Sequence, residues 1–174
     1  MKKLFLFAFA AIALAACNDN DDTLRFAAEN TLIENGSLTG TNMHFLGTST
    51  VTSADGDIYV GKEACFEFAG LDDFTLYMHN TRFAAAMPAL KMRLCSHPYT
   101  PGEGASLSFA LESAVPDVYL PNDVGGGYSY QPMPAYTLTD VEGSIDNTLC
   151  RVSFSCDVPR LGSYRVEFEG RLLE

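Results

Sequence analysis

The sequence predicts an all-β, antiparallel body, and three observations carry that prediction. From Leu38 onward, apolar and polar residues alternate with a period of two, the mark of strands with one buried and one wet face. The alternating runs are punctuated by Gly, Pro, Asn and Asp at the spacing of hairpin turns. Helical periodicity is scarce, and twelve Phe and eight Tyr supply the bulk in a chain with no Trp.

Taken in order, the strands are expected near 38–52, 57–68, 74–82, 88–96, 106–112, 135–145, 148–158 and 163–173. The last two are the clearest. Cys150, Val152, Phe154, Cys156 and Val158 share one face of the first, with Arg151, Ser153, Ser155 and Asp157 on the other. In the second, Tyr164, Val166, Phe168, Gly170 and Leu172 oppose Arg165, Glu167, Glu169 and Arg171. Gly70-Leu71-Asp72-Asp73 and Asp146-Asn147 read as hairpin turns, and the link from Pro159 to Gly162 is equally short. Consecutive antiparallel strands with such links form a meander, and pairing the first strand with the last removes both open edges. An eight-stranded barrel has an interior that side chains just fill, or that holds one small ligand. An immunoglobulin-like sandwich is the alternative.

Two segments carry a family resemblance. Asp73-Phe74-Thr75-Leu76-Tyr77-Met78-His79-Asn80-Thr81-Arg82-Phe83 with Met87-Pro88, and Val141-Glu142-Gly143-Ser144-Ile145-Asp146-Asn147 through Phe168-Glu169-Gly170, resemble the calycin-like lipoproteins of Bacteroidetes. The resemblance covers most of residues 37–173. It implies a single β-barrel domain behind a lipoprotein signal, with no assigned reaction and no functional residue to carry over. Four cysteines in the body and a Pro/Gly-rich insertion before the sixth strand depart from that pattern.

The N-terminus is an address. Lys2 and Lys3 precede an apolar run from Leu4 to Ala16, which ends Leu14-Ala15-Ala16-Cys17. That run is shorter than the roughly 20 residues of a spanning helix, and its basic start and small-residue end fit a cleaved signal. It resembles a bacterial lipoprotein signal, which implies cleavage before Cys17 and fatty-acyl chains of the palmitate type on that cysteine. The expected organisation is signal peptide 1–16, tether 17–36 and barrel 37–174. In the tether, Asn18-Asp19-Asn20-Asp21-Asp22 reads either as a solvated spacer or, by resemblance, as the acidic export signal of Bacteroidetes surface lipoproteins. Asp22-Thr23-Leu24 resembles the O-glycosylation acceptor of that group, at Thr23. Residues 23–34 read either as one short amphipathic helix or as continued linker.

Removing residues 1–16 leaves nine basic and 22 acidic side chains, a net charge of −13 on 158 residues. Nucleic acid and anionic lipid surfaces both require a basic face, and neither fits such a chain. After Ala16 nothing is long and apolar enough to span a bilayer as a helix.

Few residues propose chemistry. Cys150 and Cys156 stand roughly 20 Å apart on one strand, too far for a disulfide. Cys65 and Cys95 fall on polar positions beside Glu67 and Arg93. The cysteines therefore read either as a Cys65–Cys95 bond with two buried thiols or as four unpaired thiols. No C-x₂-C or H-x₃-H spacing proposes a metal site, and no cofactor is expected. His44, His79 and His97 are scattered, which fits surface or satisfied core residues unless the fold gathers them. No G-x-S-x-G elbow occurs, and Gly125-Gly126-Gly127 lacks the following helix and lysine of a phosphate loop. The stretch 114–135, with four prolines and Tyr119, Tyr128 and Tyr130, reads either as a loop offering tyrosines at the barrel mouth or as a mobile insertion.

The expected protein is thus a non-enzymatic lipoprotein of the outer membrane, exposed at the cell surface and held by lipid on Cys17. Its body is expected to bind a small apolar ligand or an envelope partner. The alternative is a packed, structural subunit of an envelope complex. A cavity above about 300 Å³ inside the body favours the first, and Phe154, Tyr164 and Phe168 meeting at the axis favour the second.

Overall fold

The computed structural model describes residues 33–40, 42–85 and 87–173. Cys17, Thr23 and the stretch up to residue 32 lie outside the described residues. Residues Ile33–Glu34 (β1) and Ser37–Leu38 (β2) form a small hairpin. Within the stretch expected as helix or linker, residues 33–34 are strand. Ile33 and Leu38 are buried in the core.

The body is one antiparallel sheet. Its long strands are Met43–Ser53 (β3), Ile58–Gly70 (β4), Phe74–Thr81 (β5), Leu90–His97 (β6), Ser106–Ala114 (β8), Leu138–Asp146 (β11), Leu149–Val158 (β12) and Gly162–Leu172 (β13). Each overlaps one of the eight expected segments, but the sheet they build has eleven strands rather than eight. Three short ones join them: Thr100–Pro101 (β7), Asp117–Pro121 (β9) and Tyr128–Pro132 (β10). The spatial order is β10-β9-β6-β5-β4-β3-β13-β12-β11-β8-β7. Hydrogen bonding is continuous across all eleven strands, so the body is not a two-sheet sandwich. The first long strand pairs with the last, with Val51 opposite Val166 and Phe45 opposite Leu172.

The sheet is a curled half-barrel rather than a closed barrel of eight strands. Closure required β6 to pair with β8, and β6 pairs with β9 instead while β8 takes β7. Proline explains the break. Pro98 stands between β6 and β7, and Pro116 between β8 and β9; a residue without an N–H cannot donate to a ladder and is confined to strand ends and edges. At each point the chain bends across the seam and finishes its pairing on the other side. Bulges at Gly47/Ser49, Met78/Thr81 and Thr139/Glu142 add curl.

Phenylalanine fills the inside. Phe45, Phe66, Phe68, Phe74, Phe83 and Phe154 are fully buried. Phe66 stacks on Phe168 at 3.9 Å, and Phe109 of β8 meets Phe74 of β5 at 4.4 Å, so the core bridges the unpaired seam. Two glycines make room for these rings. A Cβ at Gly143 would strike the Phe109 ring directly opposite, and one at Gly170 would strike Phe168. The faces predicted for β12 hold: Cys150, Val152, Phe154, Cys156 and Val158 are all buried.

Candidate binding face

The outer face of β3, β4, β5, β6, β9 and β10 gathers the polar and aromatic residues that the core excludes. Ladder register aligns His44, Glu67, Tyr77, Arg93, Asp117 and Pro132 in one row across these six strands. Side chains of alternate residues face the same way, so the row is set by parity and register alone.

Glu67 anchors one end. Its Oε2 lies 3.0 Å from His79 Nε2 and 3.5 Å from His44 Nε2, and its Oε1 accepts from the Asn42 amide at 2.6 Å. Burial alone would raise the Glu67 pKa. The His79 hydrogen bond, the charges of both histidines and the Asn42 amide outweigh it and hold the carboxyl below the ordinary value. Two of the three scattered histidines therefore meet on one carboxylate. His97 does not join them: it pairs with Phe74, about 17 Å along β5 from His79.

Arg93 anchors the other end. Its Nε and one terminal nitrogen each lie 2.9 Å from Asp117 Oδ2, and its guanidinium lies 4.4 Å from the centre of the Tyr130 ring. Tyr130 in turn contacts Tyr77 at 6.0 Å and Tyr119 at 5.1 Å, and Tyr119 stacks on Tyr128 at 5.5 Å. Lys91 Nζ sits 5.8 Å from the Tyr119 ring centre. Burial, then the neighbouring Tyr77, pushes the Tyr130 phenol up to about 12. Tyr119 and Tyr128 remain open, 39% and 60% exposed.

The expected loop at 114–135 is thus largely a β-hairpin, β9–β10, laid on the sheet edge. The three tyrosines share its outer face rather than rimming a mouth. Hydrogen bonds from Asn122 N–H to the Gly127 carbonyl and from Met133 N–H to the Pro116 carbonyl bracket the hairpin. The alternation Tyr128-Ser129-Tyr130 signalled this strand, and Gly125-Gly126-Gly127 its turn.

The cysteine pair is corrected. Cys65 and Cys95 are free thiols, as are Cys150 and Cys156. Cys65 pairs with His79 on β5, whereas Cys95 lies on β6 beyond it. Two strand spacings of about 4.8 Å exceed the roughly 7 Å a disulfide tolerates. Both alternate onto the outer face, as parity requires, but Cys65 is fully buried there. Burial, with Glu67 adding to it, pushes the Cys65 thiol up to about 12. Burial also raises Cys95, which the Asp117 charge reinforces against Arg93. Neither is poised as a thiolate. Among the described residues, no three His, Cys, Asp or Glu side chains are grouped to hold a metal ion.

Residues 1–18 match the family model of the prokaryotic membrane lipoprotein lipid attachment site. Cys17 is the one cysteine in that span. The match supports a bacterial lipoprotein anchored to a membrane by lipid. Comparison with curated proteins and with solved structures gives no match.

Proposed function

We propose that this protein is a non-catalytic binding module of the bacterial outer membrane, lipidated on Cys17 and facing the cell exterior. Its half-barrel is read as a calycin-like body of the kind known in Bacteroidetes lipoproteins. The tyrosine face of β9–β10 and its neighbours serves as the docking surface for an envelope protein partner. One observation carries this reading: Tyr119, Tyr128, Tyr130, Tyr77 and Arg93 lie together on the outer face, while phenylalanines occupy the inside. Tyrosine and arginine are the residue types that concentrate energy in protein interfaces. An apolar ligand within the body has less support, because the inside is occupied by buried phenylalanines, Phe154 and Phe168 among them.

Two measurements test the proposal. Mass spectrometry of protein extracted from its native membrane should find acyl chains on Cys17. Cross-linking in intact cells should yield a discrete partner adduct with the natural chain, reduced at least tenfold in the Tyr119→Ala/Tyr128→Ala variant. An unmodified Cys17, or an adduct untouched by the double variant, would overturn it.

A further inference from the structure

The other half of the sheet carries a second concavity, far in register from the tyrosines. A trough of about 750 Å³ opens on the outer face of β3, β13, β12, β11 and β8, within the range of pockets that hold small ligands. Two cross-strand rows build it. One runs Thr48, Glu169, Arg151, Ser144, Ser108 and Thr100 across six strands, a span of roughly 24 Å. The next runs Thr50, Glu167, Ser153, Glu142 and Ala110. The concavity follows from side-chain length: serines, alanine and Gly143 form the floor, while glutamates and arginine stand as walls.

The lining selects its ligand by chemistry. Hydroxyls both donate and accept, carboxylates only accept, and the guanidinium only donates. The lining also holds apolar atoms, from residues that include Ala110, Phe109, Val152 and Phe168, which suits the C–H faces of a sugar. A purely apolar ligand, however, would strip water from the polar groups and leave them unpaired, which costs free energy. A phosphate would meet three carboxylates against one arginine. A polyol satisfies all of them, since each of its hydroxyls donates to a glutamate or accepts from Arg151. The charge narrows the class further. Arg151 is neutralised by Glu169 at 2.9 Å, and Glu142 and Glu167 have no ion-pair partner among the described residues. They flank Ser153, their Cα atoms roughly 10 Å apart across two strand spacings. A concave site with unmatched negative charge concentrates cations.

We propose that this trough binds a short, amine-bearing oligosaccharide, its hydroxyls on the serine and threonine rows and its ammonium groups at Glu142 and Glu167. The site is independent of the tyrosine face. The test uses the full lipidated chain in detergent micelles, titrated with the β-1,4-linked glucosamine disaccharide and, separately, with its di-N-acetylated form. Calorimetry should show saturable binding of the free amine, with amide NMR shifts centred on Thr50, Ser144 and Ser153. Binding should weaken at least about tenfold for the acetylated sugar and for the Glu142→Gln/Glu167→Gln variant, whose exposed substitutions leave the core intact. Absence of saturable binding, equal binding of the two sugars, or shifts confined to the tyrosine face would each overturn the proposal.

Discussion

Glu67 shows how much of the outer face is decided by a single carboxyl. Its folded pKa is depressed, so its ionised form stabilises the fold above the unfolded value of about 4.3. That contribution is lost as pH falls through the folded pKa. Glu67→Gln should therefore melt below the natural chain at pH 7, and the gap should close as pH is lowered below about 4; circular dichroism melts across that range measure it. Thr81 makes the opposite prediction. Its hydroxyl is buried with no hydrogen-bond partner among the described residues, an uncompensated desolvation cost. Thr81→Val keeps the shape and the β-branch, and should raise stability by about 1 kcal/mol, read as a higher melting temperature or denaturant midpoint. Neither residue stood out in the sequence. The Glu67 cluster depends on register between strands whose members lie 23 and 12 positions away, and alternation fixes faces without fixing register. Of the two cysteine readings, four unpaired thiols agrees with the structure, and the Cys65–Cys95 bond fails for the same reason: the faces were right, and β5 stood between them.

At the scale of elements, the eight long strands were legible because each buries one face, and period-two patterning reports that burial directly. The short strands were not. β9 and β10 are framed by Pro116, Pro121, Pro132 and Pro134, and proline density reads as loop when its placement is ignored. Here each proline stands at the edge or end of a hairpin, where the missing N–H costs little. By parity with the bracketing hydrogen bonds, Tyr128, Tyr130 and Pro132 turn their backbone groups toward the open edge of β10. Pro132 has no N–H to offer there, which blunts the edge against pairing. The seam between β6 and β8 depends instead on side chains, above all Phe109, which rests over Gly143 and reaches Phe74. Gly143→Ala would place a methyl where that ring lies. The ring must shift, and the variant should lose about 1–3 kcal/mol in denaturant unfolding. Gly56→Ala supplies no control for this, since Gly56 has positive φ and carries its own backbone strain.

At the scale of the whole molecule, charge and anchor act in opposite directions. The chain after residue 16 carries a net charge of −13, so an anionic envelope surface repels it, and the repulsion weakens as salt shortens the Debye length. Attachment must then come from the N-terminus. Each buried CH₂ contributes about 0.8 kcal/mol, one chain binds reversibly, and two hold firmly. This hydrophobic attachment is not screened by salt. The two contributions separate in one fractionation. The natural chain should stay with membranes through a wash at 1 M NaCl and enter the detergent-rich phase on phase separation. The chain from residue 18 onward, added to washed membranes, should stay in the supernatant at low and high salt alike, because its net negative charge gives an anionic surface nothing to hold. Retention of the chain from residue 18 on washed membranes would instead assign the attachment to the folded body, and with it a membrane-facing role for one of the two outer surfaces.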